Sequence, residues 1–417
     1  MYLIINIIGI AVYLAIAILF SKNRKKINWR SVLVVLVLNL VLAWIFTSFG
    51  WGRAIVQGAA DGFNWLVDVA YTGIAFALPS WVHVKQMDFV TSSLLPILLI
   101  VPMFDILTYI GILPWFIKWI GKGLSWVTGQ PKFESFFSVE MMFLGNTEAL
   151  AVSKLQLKKM SAERDLTLAL MSMSCVTASI LGAYTQMVPG QYVLTAVPLN
   201  ILNAIIITNI LNPVTVTPEE DKIYGVTDDQ SLTEEQLQSG EADAAVKREP
   251  FFSFLGDSIL GAGKLVLIIT ANVIAFVALA ALIDKLLMLV APWLTLEHIL
   301  GVIMFPFAWL TGLSVSDAFD FAQYMGTKII TNEFVVMQKI APHINDSHYF
   351  SPHYRAMLTV FLTSFANFGT TGMIIGAFKG MVDKKKNDLI SKNVGYMLLS
   401  GTLVSLMSAG IVGLFVW

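Results

Sequence analysis

Residues 132–164 read KFESFFSVEMMFLGNTEALAVSKLQLKKMSAER, and this stretch decides how the rest of the chain is interpreted. Glu134, Glu140 and Glu148 divide its apolar residues into runs shorter than the roughly 20 residues that a helix needs to cross a bilayer. Four basic residues follow between positions 154 and 164, which is typical of a cytoplasmic loop. The stretch therefore predicts a re-entrant hairpin, whose irregular backbone is tolerated at membrane depth only inside protein or beside water.

Long uncharged stretches surround this segment. The chain has 417 residues, of which 56% are hydrophobic and 13% charged, against about 25% charged in soluble domains. The charges cluster, so that each uncharged stretch has the length of a membrane span. Eight spans are predicted, at 2–20, 31–50, 88–112, 166–188, 192–212, 260–290, 356–378 and 394–417.

The basic residues that follow span 1 set the predicted orientation. Lys and Arg between positions 22 and 30 favour a cytoplasmic loop, so both termini are expected outside the cell. Residues 51–85 mix tryptophans with Asp and Gly, which favours an interfacial helix. The chain is thus expected to be a multi-pass protein of the bacterial cytoplasmic membrane, in contact with the lipid bilayer.

A second polar segment, at 301–345, resembles the first. It has an apolar start followed by Asp317, Asp320, Lys328 and Glu333 at apparent membrane depth, and it is expected to enter from the opposite side. Each hairpin is followed by a span with a broken, small-residue centre. An inverted repeat of this kind is typical of secondary transporters.

The inverted repeat predicts that the chain is divided into four regions. They are the N-terminal scaffold at 1–87, the first repeat at 88–212, an acidic cytoplasmic linker at 213–255 and the second repeat at 256–417.

Both hairpins place a glutamate where a charge is costly. Even on a lenient scale, a charged side chain at the bilayer centre costs about 2.5–3.5 kcal/mol. Glu148, beside Asn146 and Thr147, and Glu333, beside Asn332, therefore predict a ligand site; the alternative is a carboxylate that only caps a half-helix. In span 7, Asn367 and Thr370 supply donors and acceptors, unless they only bond neighbouring helices.

These motifs resemble the concentrative nucleoside transporter family. Residues 145–148 read GNTE, residues 332–335 read NEFV and residues 364–368 read SFANF, where the family usually has G-Q-[TS]-E, N-E-F-V-A and F-A-N-F. The order and spacing agree, and the resemblance extends over nearly the whole chain, including LGAY at 181–184.

The resemblance implies an all-α fold of eight transmembrane helices with two opposed re-entrant hairpins, a homotrimer and elevator-type transport. It also implies a nucleoside as substrate, with roles for individual residues. Asn146, Thr147 and Glu148 are expected at the nucleobase, Glu333, Asn367 and Thr370 at the ribose, and Asn332, Phe365 and Tyr184 along the pocket.

Two departures from the family pattern bear on substrate and ion. Asn146 replaces a longer Gln, which predicts room for a purine. Met141 replaces an Asn of the sodium-coupled members, although Ser179 and Ile180 still match cation-site positions. Because a thioether is a poor ligand for a hard cation, a co-transported proton carried by Glu148 or Glu333 is expected, with sodium as the alternative.

Other functions are less favoured. A carrier of another small polar metabolite, or of pyrimidine nucleosides, remains open. An intramembrane enzyme is disfavoured because the sequence shows no nucleophile–base arrangement, and a channel fits opposed hairpins less well.

The net charge of −1 gives no reason to expect nucleic acid as a partner. Cys175 is the single cysteine, so no disulfide, metal site or cofactor is expected.

Overall fold

The computed structural model describes residues 1–217, 220–221, 223, 249–346 and 348–417, with every side chain among them except that of Thr147. Within these ranges the chain is helical and contains no β-strand. Most of the linker expected at 213–255 lies outside the described residues, and helix resumes at Phe251.

The helices are numbered here in chain order. Those before the linker are α1 (Tyr2–Leu19), α2 (Trp29–Ser48), α3 (Gly50–Ala77), α4 (Pro79–Val82), α5 (Ile97–Tyr109), α6 (Ile112–Thr128), α7 (Lys132–Leu144), α8 (Asn146–Val152), α9 (Lys154–Lys159), α10 (Ala162–Ser172), α11 (Ala178–Thr185) and α12 (Gly190–Leu211). Those after it are α13 (Phe251–Met288), α14 (Leu296–Trp309), α15 (Val315–Ile330), α16 (Glu333–Ile340), α17 (Pro352–Leu362), α18 (Phe368–Lys379), α19 (Lys384–Lys392) and α20 (Val394–Gly413).

Among the described residues, six helical segments are long and apolar enough to cross a membrane. They are α1, α2, the segment Val90–Tyr109 that includes α5, α12, α13 and α20. They coincide with predicted spans 1, 2, 3, 5, 6 and 8. However, α13 begins at Phe251, directly after Pro250, instead of near 260. The charged residues Asp257 and Lys264 lie within this helix and do not interrupt it.

Predicted spans 4 and 7 are each two short helices. Residues 173–177 separate α10 from α11, and residues 363–367 separate α17 from α18. The second half-helix begins each time at a capping side chain, since Thr177 accepts a hydrogen bond from the Ser179 amide and Asn367 from the Thr370 amide. Small and polar residues predicted that these two spans are interrupted at their centres, and the structure has an interruption of equal length in each.

Hairpin 1 consists of α7 and α8, and hairpin 2 of α15 and α16. Gly145 joins the arms of the first with φ +91°, a conformation that glycine adopts without steric cost. In the second, Asn332 accepts a hydrogen bond from the Val335 amide and starts α16. The predicted start of hairpin 2 at 301 is therefore corrected: that residue belongs to α14, which turns at Gly312 (φ +85°) into α15.

The same order of elements occurs twice. Hairpin, broken helix and long helix are α7–α8, α10–α11 and α12 in the first repeat, and α15–α16, α17–α18 and α20 in the second. Residues 51–85, expected to form an interfacial helix, contain most of α3 and all of α4; their depth in the membrane stays a prediction.

Buried amides hold the broken helices against α12. Asn200 Nδ2 donates to the Thr363 carbonyl at 2.5 Å, in the break between α17 and α18. Asn203 Nδ2 donates to Ser408 Oγ of α20 at 2.9 Å, and Asn39 of α2 donates to Asn203 Oδ1 at 2.7 Å. Such interhelical bonds are worth about 0.6 kcal/mol each in membrane bundles; the Asn200 bond anchors the break between α17 and α18, and the Asn203 bonds hold α12 against α20 and α2.

Candidate functional site

The hairpin tips and the helix breaks enclose a cavity of about 310 Å³. This volume lies at the lower end of small-molecule sites, which run from about 300 to 1,000 Å³. Polar residues of the hairpins and helix breaks, and of α5 and α13, line it: Asp105, Asn146, Glu148, Thr177, Ser179, Asp257, Ser258, Asn272, Thr331, Asn332, Glu333, Asn367 and Thr370.

The first repeat contributes the start of α8 and the break before α11. Asn146 and Glu148 lie in the first turn of α8 and line the cavity. The Asn146 Oδ1 atom is buried without a hydrogen-bond partner in the structure, which is costly unless a ligand donates to it. Thr147 belongs to the same turn, and its side chain lies outside the described part of the structure.

The second repeat contributes Glu333, whose two carboxylate oxygens both have donors. Tyr184 Oη donates to Oε1 at 2.9 Å, and Asn367 Nδ2 donates to Oε2 at 3.1 Å. Glu333 is only 2% exposed, but it lines the cavity. Because the two carboxylate oxygens together have about four lone-pair sites, the carboxylate keeps acceptor capacity for the hydroxyl groups of a ligand.

Tyr184 does not line the cavity as expected. It is fully buried, and its ring packs edge to face against Phe334 at 5.1 Å between centroids. The LGAY segment, residues 181–184, lies in the second half of α11. From there the Tyr184 hydroxyl donates to Glu333 on the side of the carboxylate away from the cavity. Tyr184 therefore positions a lining carboxylate.

The other expected residues are brought together. Phe365, Asn332 and Thr370 line the cavity from the second repeat, and Ser179 and Ile180 line it from the first. The Asn332 Oδ1 and Asn367 Oδ1 atoms are used as helix caps. Thr177, which was not expected, bridges hairpin 1 to α11, since its hydroxyl lies 2.9 Å from Ser179 Oγ and 3.3 Å from the Phe143 carbonyl.

Sequence reasoning missed the wall formed by α5 and α13. Asp105, Asp257 and Asn272 line the cavity there, and Ser258 Oγ donates a hydrogen bond to Asp105. Asp105 is the only charged residue between positions 89 and 117. A lone carboxylate in an apolar span is by itself a functional signal, so this residue was detectable.

The cavity carries a strong charge imbalance. Four carboxylates line it, those of Asp105, Glu148, Asp257 and Glu333, and no Lys, Arg or His is found among the described lining residues. Carboxylates that share a small space disfavour each other's ionised form. A cation or a proton that enters together with a neutral ligand reduces the repulsion between these carboxylates. An anionic ligand increases it.

Met141 occupies the expected cation position beneath the tip of hairpin 1. It is fully buried, and its sulfur accepts a hydrogen bond from Ser172 Oγ at 3.2 Å. No group of three or more His, Cys, Asp or Glu residues able to hold a metal ion is found in the described chain. The arrangement suits reversible binding of a polar solute by two opposed walls.

Comparison with known proteins identifies relatives along the whole chain. A family model described as "Na+ dependent nucleoside transporter C-terminus" matches residues 192–413, and its N-terminal counterpart matches residues 8–81. The chain is 45% identical to the purine nucleoside transport protein NupG of Bacillus subtilis over 100% of both chains. It is 28% identical to the nucleoside permease NupC of Helicobacter pylori, over 99% of this chain and 97% of that protein.

Solved structures agree with these sequence relatives. The structure of CNTnw in an inward-facing substrate-bound state has a TM-score of 0.88 to this fold and 25% sequence identity. The match covers 100% of this chain and 98% of that chain.

Proposed function

Because the chain belongs to the concentrative nucleoside transporter family and is a membrane-embedded nucleoside transporter, not an enzyme, we propose that it imports purine nucleosides across the bacterial cytoplasmic membrane in symport with protons. One observation carries the proposal. A single cavity has Asn146 and Glu148 on one wall and the Glu333–Asn367 pair on the other, which suits a solute with a hydrogen-bonding base at one end and vicinal hydroxyls at the other.

The two walls bind different ends of the nucleoside. The ionised Glu333 accepts hydrogen bonds from the two ribose hydroxyls, while Asn367 and Thr370 orient the sugar. Asn146, Thr147 and Glu148 address the base, and the unpartnered Oδ1 of Asn146 accepts from a ring or amino N–H. Phe365 lines the space between these groups and stacks on a ring.

The preference for purines rests on two observations. Asn146 is one methylene shorter than the family's usual Gln, which leaves more room for a fused ring. The relative that is 45% identical is named a purine nucleoside transport protein. Uptake of labelled inosine, guanosine and uridine by a host without its own nucleoside carriers tests the preference, and faster uptake of uridine would contradict it.

Proton coupling is supported by the buried Met141 and by four carboxylates without a cation among the described lining residues. Glu148 and Glu333 are the candidate carriers. Membrane vesicles with an imposed pH gradient and no sodium should accumulate inosine, and a protonophore should abolish accumulation. Uptake that follows sodium at constant pH and ignores the protonophore would establish the sodium-coupled alternative.

We also propose the assembly and topology that the family resemblance implies. These are eight spans, hairpins that enter from opposite faces, both termini outside, and a homotrimer in which the hairpin-bearing part moves as an elevator. Cross-linking of the purified protein should give a ladder that ends at three protomers. Labelling of single cysteines near either terminus by an impermeant reagent in intact cells tests the orientation.

A further inference from the structure

Lys328 is a fully buried lysine next to the cavity. It lies in the last turn of α15, and 0% of its surface is exposed. Its Nζ donates to the Phe361 carbonyl at 2.6 Å and to Ser364 Oγ at 2.5 Å, and it stands 4.4 Å from the Phe361 ring centroid. A buried ammonium is costly unless such partners compensate it, so this placement calls for an explanation.

The surroundings of Lys328 have the character of a cation site. The C-terminal end of α15 carries Lys328 itself, and the C-terminal end of α17 presents the Phe361 carbonyl to it. Helix C-termini carry partial negative charge. In secondary transporters, unwound carbonyls and half-helix C-termini of this kind hold the coupling cation.

The internal repeat gives Lys328 a counterpart in the first half. Lys328 lies five positions before Glu333, the first residue of α16, and Met141 lies five positions before Asn146, the first residue of α8. Lys328 bonds Ser364 in the break after α17, and Met141 accepts from Ser172, the last residue of α10 before the other break. Equivalent positions of the two repeats thus hold an ammonium and a thioether.

We propose that Lys328 fills the cation position of the second repeat and is a positioning residue for Glu333. Its bonds to Phe361 and Ser364 tie the end of α15, which leads into the tip of hairpin 2, to the break in which Asn367 lies, and Asn367 in turn donates to Glu333. Lys328 thereby keeps Glu333 aimed at the cavity. The consequence for substrate binding rests on the proposed function, in which Glu333 binds the ribose.

The groups around this pair come from several elements. Glu333 accepts hydrogen bonds from Tyr184 of α11 and from Asn367 at the start of α18. Lys328 donates to Phe361 and Ser364, and Ser364 in turn lies 2.6 Å from Ser405 Oγ of α20. Lys328 and Glu333 are both buried and lie five positions apart in the chain. Neutralising one of them therefore leaves the other with less compensation for its burial.

A double-mutant cycle on the purified protein tests the charge coupling without any substrate. Thermal unfolding is measured for the wild type, K328Q, E333Q and K328Q/E333Q. Because each single variant leaves an unpaired buried charge, the double variant should melt at a higher temperature than additive effects predict. Additive shifts would overturn the proposal. If K328Q alone is too unstable to purify, the double variant must still be recovered, and its loss would also count against the pairing.

The pH dependence of nucleoside binding tests the positioning role. A carboxylate that loses a nearby cation takes up a proton at higher pH. The ratio of K328Q affinity to wild-type affinity for inosine should therefore fall as the pH is lowered. An unchanged pH profile in K328Q would refute the role of Lys328.

Lys386→Gln is the matched control. Lys386 is also buried, pairs with Asp165 at 3.0 Å and donates to the Leu157 carbonyl, but it does not line the cavity. K386Q should lower the melting temperature without changing the pH profile. Failure of the wild type to bind any nucleoside would refute the proposed function alone, because the double-mutant cycle would still decide the Lys328–Glu333 coupling.

Discussion

At the residue scale, Glu333 is held by Tyr184 and Asn367, each of which donates to one carboxylate oxygen. Two fixed acceptors match two vicinal hydroxyls without reorganisation of the site. An amide in place of the carboxylate presents one oxygen and one NH₂ group, so it offers one acceptor atom where the carboxylate offers two. In the proposed function, this pair of acceptor atoms contributes to the selection of a ribonucleoside.

The first prediction concerns this acceptor pair. E333Q should reduce inosine uptake by about ten- to a hundredfold, because hydrogen bonds to charged groups contribute about 1.5–3 kcal/mol. Glu297→Gln is the control, since Glu297 is partly exposed and pairs with Lys339 at 2.7 Å. Initial uptake rates, normalised to the amount of protein in the membrane, measure the effect; E333Q at more than half of wild-type rate would contradict the prediction.

The second prediction concerns the cation position. M141N places an amide oxygen beside Ser172 Oγ, in a pocket where the sulfur of Met141 now accepts its hydrogen bond. Because hard cations prefer oxygen ligands, inosine uptake by M141N should become stimulated by sodium at constant pH. M141L removes the sulfur without adding oxygen and should show no stimulation. Equal responses of the two variants to sodium would reject Met141 as the determinant of the coupling ion.

At the element scale, the hairpin tips and the helix breaks share one construction. A short helix ends, a capping residue follows, and a second short helix starts with its free amides near the cavity. The sequence predicts the helix–turn–helix segments and the broken helices well, because glutamates within apolar sequence and small residues inside a predicted span are visible in the sequence alone; the re-entrant path of the hairpins stays a prediction. The starts of α13 and of hairpin 2 were misplaced, since the charged Asp257 lies inside α13 and residue 301 belongs to the preceding helix α14.

The sequence pattern does not predict whether an individual side chain lines the cavity or packs behind its lining. Tyr184 and Thr177 lie in the same polar, small-residue region, but only the path of α11 decides that the phenol lies behind Glu333 while Thr177 lines the cavity. Asp105 was missed for another reason, since its apolar flanks were interpreted as an ordinary span. The roles of the individual site residues stay predictions until variants are measured.

The third prediction concerns the tip of hairpin 1. At Gly145, with φ +91°, an added Cβ would lie 3.1 Å from Thr177 Cβ and 3.1 Å from Glu148 Oε2. Left-handed backbone costs an L-residue roughly 1–2 kcal/mol, so G145A should lower both the melting temperature and the inosine uptake. G123A is the control, because a Cβ there meets nothing within 4 Å. Wild-type uptake by G145A would show that the tip does not need this conformation.

At the scale of the whole molecule, the wall of the cavity has two parts of different character. The hairpins and the helix breaks contribute amides, hydroxyls and two glutamates, whereas α5 and α13 contribute the two aspartates Asp105 and Asp257. The apolar surface of α13 is largely exposed in the single chain, as expected for a helix that faces lipid or another protomer. The cavity as a whole is acidic, which sets what charge of solute it accepts.

The fourth prediction follows from this charge. Inosine 5′-monophosphate should compete with inosine uptake at least about a hundredfold more weakly than unlabelled inosine, because its phosphate adds about −1.5 to −2 charges to a cavity lined by four carboxylates. A neutral 5′-O-methyl inosine controls for size and should compete better than the nucleotide. Equal competition by nucleotide and nucleoside would show that the acidic lining does not select for charge.

The two-fold repetition of the fold creates two places for a positive charge, and Lys328 fills one of them. A cation that is part of the polypeptide cannot be exchanged with the solution on either side. The proposal made for Lys328 therefore predicts that a coupling ion bound at this position exchanges with the solution in the first repeat, near Met141 and Glu148, and not at the equivalent position of the second repeat.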